Sequence, residues 1–289
     1  MFAGFVREDV AGDGTPIHLV RAGSGPGLLL LHGFPQTHAM WHRIAPALAE
    51  RFTVIATDLR GYGDSGKPRP TADHAAHAKR ATANDQVAVM ARLGFDQFCV
   101  AGHDRGARVA HRMALDHPLR VRRLAVLDIL PTPFMYANLT RELALAFYHL
   151  FLFAQPNLPE RLIGADPDAF LDHHMGRFEG GMPPFAPEAM AEYRRCFRDA
   201  PTREAMFEDY RAAAGIDLDH HRADKGRKIA CPTLVLWGAR GLIHRRHDVL
   251  AVWRDYAALV QGRALPCGHY LAEEEPQATL DELLAFFGN

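Results

Sequence analysis

Apolar residues along this chain gather into short blocks closed off by turn residues. The blocks are "LLLLHG" (Leu28–Gly33), "FTVIATD" (Phe52–Asp58), "FCVAG" (Phe98–Gly102), "RLAVLDI" (Arg123–Ile129) and "TLVLWG" (Thr233–Gly238). Runs of this length without polar alternation are the mark of strands buried on both faces, as in a parallel sheet. Between them the spacing shifts to a helical period over Trp41–Glu50, Asp85–Leu93 and Ala107–Asp116, the last stopping ahead of Pro118. Strand–helix alternation of this kind predicts an α/β fold with a mostly parallel, doubly wound sheet.

The alternation stops between about Ile129 and Ile229. That stretch is rich in phenylalanine and proline, carries helix-period apolar residues and contains no convincing strand. The pattern therefore predicts a core over 1–129, an inserted all-helical cap over 130–229, and the completion of the core over 230–289. A cover over the active site is the expected task of such an insertion.

Composition narrows the function by exclusion. The 289 residues carry a formal net charge of −1, so no charge excess points to nucleic acid or to an anionic membrane. The opening "MFAGFVREDV" has no apolar leader segment, and no run approaches the ~20 apolar residues of a membrane span. Cys99, Cys196, Cys231 and Cys267 lack paired spacing and read as free thiols in a reducing compartment, so a cytoplasmic protein is expected. The adjacent pairs His173-His174 and His220-His221 are not a metal signature, because neighbours on a helix point in different directions. Neither a metal nor a cofactor is expected.

Glycine marks the chemistry. "GSGPG" (Gly23–Gly27) precedes a strand, whereas a dinucleotide loop follows one. "GYGDSGKP" (Gly61–Pro68) has proline where a phosphate-binding loop needs Ser or Thr. Both are loops. "GHDRGAR" (Gly102–Arg108) is different, because a buried strand runs into a helix with Asp104 at the turn and glycine two residues away on each side. A sharp strand–turn–helix forces its central residue into a strained conformation and exposes that side chain at the carboxyl end of the sheet. A carboxylate there, at a helix N-terminus, is a weak base but a serviceable nucleophile toward saturated carbon. An N-cap aspartate would have the same local sequence.

These motifs resemble those of the α/β-hydrolases. "HGFPQ" (His32–Gln36) is similar to the superfamily's oxyanion loop, and "DLRGYGDS" (Asp58–Ser65) to its loop after the next strand. "GHDRGAR" resembles the elbow of the haloacetate (fluoroacetate) dehalogenases, and the likeness extends over essentially the whole chain. An aspartyl ester needs activated water, hence a histidine and an orienting acid. His269, in "GRALPCGHYLAEEEP", stands after the last strand, where the resemblance puts the histidine. The stretch after "TLVLWG" offers no early carboxylate, since Asp248 comes only well into the following helix, whereas "LAVLDI" ends in Asp128. An acid at that strand end fits the haloacetate dehalogenase pattern.

Arg105 and Arg108 share one side of the helix start and are expected to hold a small substrate carboxylate. Backbone N–H groups of Phe34 and Arg105 are expected to form the oxyanion hole. The resemblance implies that a histidine, a tryptophan and a tyrosine of the cover receive the halide. Here His149 and Tyr210 fill two of those places, and Leu150 stands where the tryptophan would be. Leucine donates no hydrogen bond, so C–F cleavage loses more than C–Cl or C–Br cleavage. The expected reaction is conversion of chloro- and bromoacetate, with fluoroacetate an open case, to glycolate and halide. The resemblance also suggests a homodimer.

Two rivals follow from the same residues. An epoxide hydrolase would use the same aspartate with Tyr148 and Tyr210 as proton donors, though that family favours tryptophan after the nucleophile. A non-catalytic binder of small carboxylates would need the arginines but not Asp104, Asp128 and His269 together.

Overall fold

The computed structural model describes residues 1–176 and 185–288. Its strands are β1 (Val6–Ala11), β2 (Pro16–Ala22), β3 (Gly27–Leu31), β4 (Thr53–Thr57), β5 (Phe98–His103), β6 (Val121–Leu127), β7 (Thr233–Gly238) and β8 (Val260–Leu265). They form one sheet in the order β1-β2-β4-β3-β5-β6-β7-β8. β2 runs antiparallel to β1 and β4, and every other pairing is parallel. The α/β expectation holds, with helices on the sheet and β3, β5 and β7 buried along their whole length.

The strands that the apolar blocks predict are all present. β1, β2 and β8 are additions, and their sequences explain why. "VREDVA" and "VQGRAL" lie at the two edges and alternate exposed with half-buried positions, so they carry charge instead of a continuous apolar run. "PIHLVRA" mixes polar and apolar positions in the same way. The helical reading of Trp41–Glu50 needs correction, because the chain makes a 3₁₀ turn (His38–Trp41) and a short helix (Ala45–Leu48) instead. The second helix begins at Lys79, earlier than the expected Asp85, and ends at Arg92.

Between β6 and β7 the described residues form helices and no strand. The longest are Pro167–Gly176, Pro187–Arg198 and Ala200–Ala214. Phe153, Tyr193, Phe197, Phe207 and Tyr210 from this segment are buried and join the core cluster that includes Phe34 of the β3 loop. No helix among the described residues is long and apolar enough to cross a membrane.

The sheet register sets up the site. Leu127 lies opposite His103 on one side and Leu236 on the other. Asp104 and Asp128 each follow one of these paired residues, so they stand at the same level on adjacent strand tips. Their own N–H groups continue the ladder, donating to Leu127 O (3.1 Å) and Leu236 O (2.8 Å).

Candidate functional site

Both strand-tip aspartates have left-handed backbones, with φ of 47° at Asp104 and 46° at Asp128. Such conformations cost non-glycine residues on the order of 1–3 kcal/mol and cluster at functional sites. At Asp104 the turn is made by extreme closeness of strand and helix. A Cβ on Gly102 would lie 2.5 Å from Gly106 O, and one on Gly106 would lie 2.4 Å from His32 O. Only glycine fits on either side, as the small-residue pattern of the elbow requires. The helix Arg105–Asp116 begins directly after Asp104, which stands at its N-cap without a side-chain capping bond, so the positive end of the helix dipole lies next to this residue. Phe34 N–H donates to Asp104 Oδ1 at 3.1 Å.

Asp128 faces His269. Its Oδ2 lies 2.6 Å from His269 Nδ1, and its Oδ1 accepts from Gly238 N–H at 2.9 Å. The carboxylate is thus held by the next strand while it orients the imidazole. The His269 carbonyl lies 2.8 Å from His103 Nε2, which ties the histidine loop to the elbow strand. Asp248 sits at the N-cap of Val249–Arg254 and accepts from Ala251 N–H, which places it at the start of that helix and not well inside it.

Burial raises the Asp104 carboxyl, but His269, His103, Arg105 and Arg108 outweigh it and hold the group well below the usual carboxylate range. An ionised aspartate results. Burial lowers the His269 pKa, yet the hydrogen bond and charge of Asp128, with Asp104 beyond, lift it above its ordinary value. His103 takes the opposite course, since burial and then His269 push it down to about 3.

One cavity of about 440 Å³ brings most of the expected residues together. Its wall includes Phe34, Asp104, Arg105, Arg108, Asp128, His269, His149, Leu150, Tyr148 and Tyr210. That volume is within the usual range for small-molecule pockets. The two arginines differ in their ties. Arg108 donates from Nη1 to Thr132 Oγ1 at 2.7 Å, while its Nε is buried with no partner among the described residues. Burial, then the neighbouring Arg105, lowers its pKa to about 10. Arg105 is bound to Asp209, with Nε 2.6 Å from Oδ2 and Nη2 2.7 Å from the Asp209 carbonyl. Asp209 was not legible as a site residue, although its place beside Tyr210 in "FEDYR" was a local clue.

At the other end His149 stacks near Phe34 (ring centroids 6.5 Å apart) and lies 5.7 Å from the Tyr210 ring. His174, unforeseen as a site residue, also lines the cavity, with its ring 4.9 Å from that of His149. Leu150 is buried in the same wall and brings only carbon to it.

Outside the cavity lining, buried Glu273 joins three parts of the molecule. Gln36 of the β3 loop donates to it, and so does Tyr193 OH of the helical segment (3.2 Å). Burial pushes the Glu273 carboxyl up to about 8. Away from the cavity, His18, His38 and Asp58 offer ligand atoms within 4.8 Å of one another. His18 Nδ1 and His38 Nδ1 are already bonded to Asp9 (2.7 Å) and Asp58 (2.8 Å).

Residues 26–276 match the model of the α/β-hydrolase fold family. The chain belongs to that family. It is 44% identical to a fluoroacetate dehalogenase of Burkholderia sp over 100% of this chain and 96% of the relative, which groups it with the haloacetate dehalogenases. It is also 35% identical to a soluble epoxide hydrolase of Corynebacterium sp. (strain C12), covering 95% of this chain and 94% of that one. Among solved structures, a provisionally classed alpha/beta hydrolase from Nostoc sp PCC 7120 superposes with a TM-score of 0.96 at 54% identity, over 99% of both chains.

Proposed function

We propose that the chain is a hydrolytic haloacetate dehalogenase acting through an ester on Asp104. The observation that carries this reading is the presence of Arg105 and Arg108 in the same cavity wall as an ionised, strained Asp104. Two guanidinium groups beside a nucleophile select a substrate with its own carboxylate, and Arg108 Nε has no acceptor among the described residues.

The substrate carboxylate rests on the arginines, which turns its α-carbon toward Asp104. A carboxylate oxygen of Asp104 attacks that carbon, the carbon–halogen bond breaks, and halide leaves toward His149 and Tyr210. His269, oriented by Asp128, then takes a proton from water, and the hydroxide adds to the Asp104 carbonyl carbon. Phe34 N–H already addresses one Asp104 oxygen, and with Arg105 N–H it stabilises the oxyanion there. Collapse breaks the ester, and glycolate departs with the proton from His269. Asp104, left as the carboxylic acid, gives up the second proton of the attacking water to solvent, which restores its carboxylate. The helical segment 130–229 serves as the cap that carries the halide site, over a core made of 1–129 and 230–289. The four free cysteines support a reducing, cytoplasmic setting, and family resemblance supports a homodimer.

Halide release from chloroacetate by wild type and by Asp104→Asn tests the reading. Single turnover in ¹⁸O-water sharpens it, because the ester route puts the label into Asp104 and not into the first glycolate. Label found directly in glycolate, or no chloride released at all, defeats the proposal. An epoxide hydrolase is the second reading, favoured by Tyr148 and Tyr210 lining the same cavity. Opening of styrene oxide without chloride release would select it.

A further inference from the structure

We propose that Asp209 is a positioning residue that sets the attitude of Arg105 and thereby the site's affinity for the substrate carboxylate. The inference rests on the dehalogenase reading, in which Arg105 receives that carboxylate.

Asp209 lies in the helix Ala200–Ala214 and is buried. It holds Arg105 twice over, through its side-chain Oδ2 on Nε (2.6 Å) and its backbone carbonyl on Nη2 (2.7 Å). A guanidinium gripped along one edge can no longer rotate in its own plane. Tyr210, the next residue, covers the flat face of the same group, with the guanidinium carbon 3.9 Å from the ring centroid. Edge and face are therefore both fixed by consecutive residues of one helix.

The other contacts of Asp209 brace the clamp. Tyr62 OH donates to Oδ2 at 2.9 Å, and the buried Lys79 Nζ donates to Oδ1. Tyr62 belongs to the loop after β4, and Lys79 opens the helix Lys79–Arg92. Core elements thus hold Asp209 while Asp209 holds Arg105. Because Tyr210 also faces the halide end of the cavity, a single stretch of this helix relates the two ends of the substrate site.

A simpler role for Asp209 would be to neutralise Lys79 and Arg105. The two roles predict opposite signs. Removing a negative charge beside an anion site tightens anion binding if charge is all that matters. Loosening a clamped arginine weakens it.

The test measures chloroacetate kinetics and inhibition by acetate, an unreactive carboxylate, for wild type and Asp209→Asn. A positioning role raises KM and the acetate inhibition constant roughly ten- to hundredfold, as for one lost charge-assisted hydrogen bond. In that case kcat stays within about threefold, since Asp104 and His269 are untouched. An inhibition constant that is unchanged or lower overturns the inference. If the single variant fails to fold, Lys79→Met with Asp209→Asn removes both members of the buried pair, and the same outcomes apply. Wild type that neither releases chloride nor binds acetate overturns the functional reading and the inference together. Wild type that does both, beside an Asp209→Asn variant of undiminished acetate affinity, overturns the inference alone.

Discussion

The floor and the roof of the cavity are built by different means. On the floor, Asp104 and Asp128 occupy equivalent places on adjacent strands, each with φ near +47° and each continuing the ladder of its neighbour. Backbone register fixes them, so no side chain has to search for its position. The roof comes from separate helices, where the His149 ring packs against those of His174 and Tyr210 and Leu150 lines the same wall. A floor set by hydrogen-bonded backbone is rigid in kind, whereas a roof set by packing can change its side chains and keep its shape. Substitutions in the floor should therefore abolish chemistry, and those in the roof should alter preference.

The largest effect is expected at Asp104. Asp104→Asn keeps the shape of the side chain and its contact with Phe34, yet halide release should fall on the order of 10⁶-fold, as for loss of a nucleophile. Residual turnover within a hundredfold of wild type would mean that the floor does not supply the attacking group.

Asp128→Asn should come next, slowing ester hydrolysis about 10⁴-fold and letting the ester accumulate on Asp104, where intact-protein mass spectrometry would find it. The pH profile gives the sign of the interaction. Asp128 raises the His269 pKa against the lowering effect of burial, and only neutral His269 accepts a proton from water. Wild-type hydrolysis should thus climb with pH through a midpoint raised from the ordinary histidine value. In Asp128→Asn the rising limb should move to lower pH, and a limb that stays in place would break the proposed pairing.

In the roof, Leu150→Trp should raise the ratio of fluoroacetate to chloroacetate turnover by roughly two- to tenfold, the value of one added hydrogen bond. Parallel fluoride and chloride release assays would measure it. A fall in that ratio would show that the roof at position 150 does not face the halide.

The smallest effect is expected where floor and roof meet. Glu273 is neutral in the fold up to about pH 8 because it is buried, whereas in an unfolded chain it ionises near pH 4.3. Its folded pKa is raised, so the stability it contributes is complete below the unfolded value and is lost as pH rises toward 8. Glu273→Gln removes that loss. The difference in Tm between variant and wild type should become more favourable to the variant by about 3 °C or more between pH 5 and pH 8. A difference that is flat with pH would mean that Glu273 ionises in the fold as readily as in water.

Legibility followed the same division. Asp104 could be found because a strained elbow needs glycine around it, a demand written within five residues. Asp128 could be found because its strand tip is marked by the end of an apolar run, and His269 because the family resemblance puts a histidine late in the chain. The edge strands β1 and β8 escaped because exposure to water breaks the apolar run. The grip of Asp209 on Arg105 spans 104 residues of chain, and no local pattern encodes a contact of that length.

By itself the sequence determined the buried parallel strands, the place of the elbow and the identity of the groups at the strand ends. These depend on short-range sterics and on the solubility of side chains, which act over a few residues. Only the tertiary structure decided which arginine is clamped and which keeps a nitrogen without a partner among the described residues. It alone brought Tyr210 over Arg105 and set His174 beside His149. Such choices depend on distances between helices far apart in the chain, and close packing resolves them only when the whole core has formed.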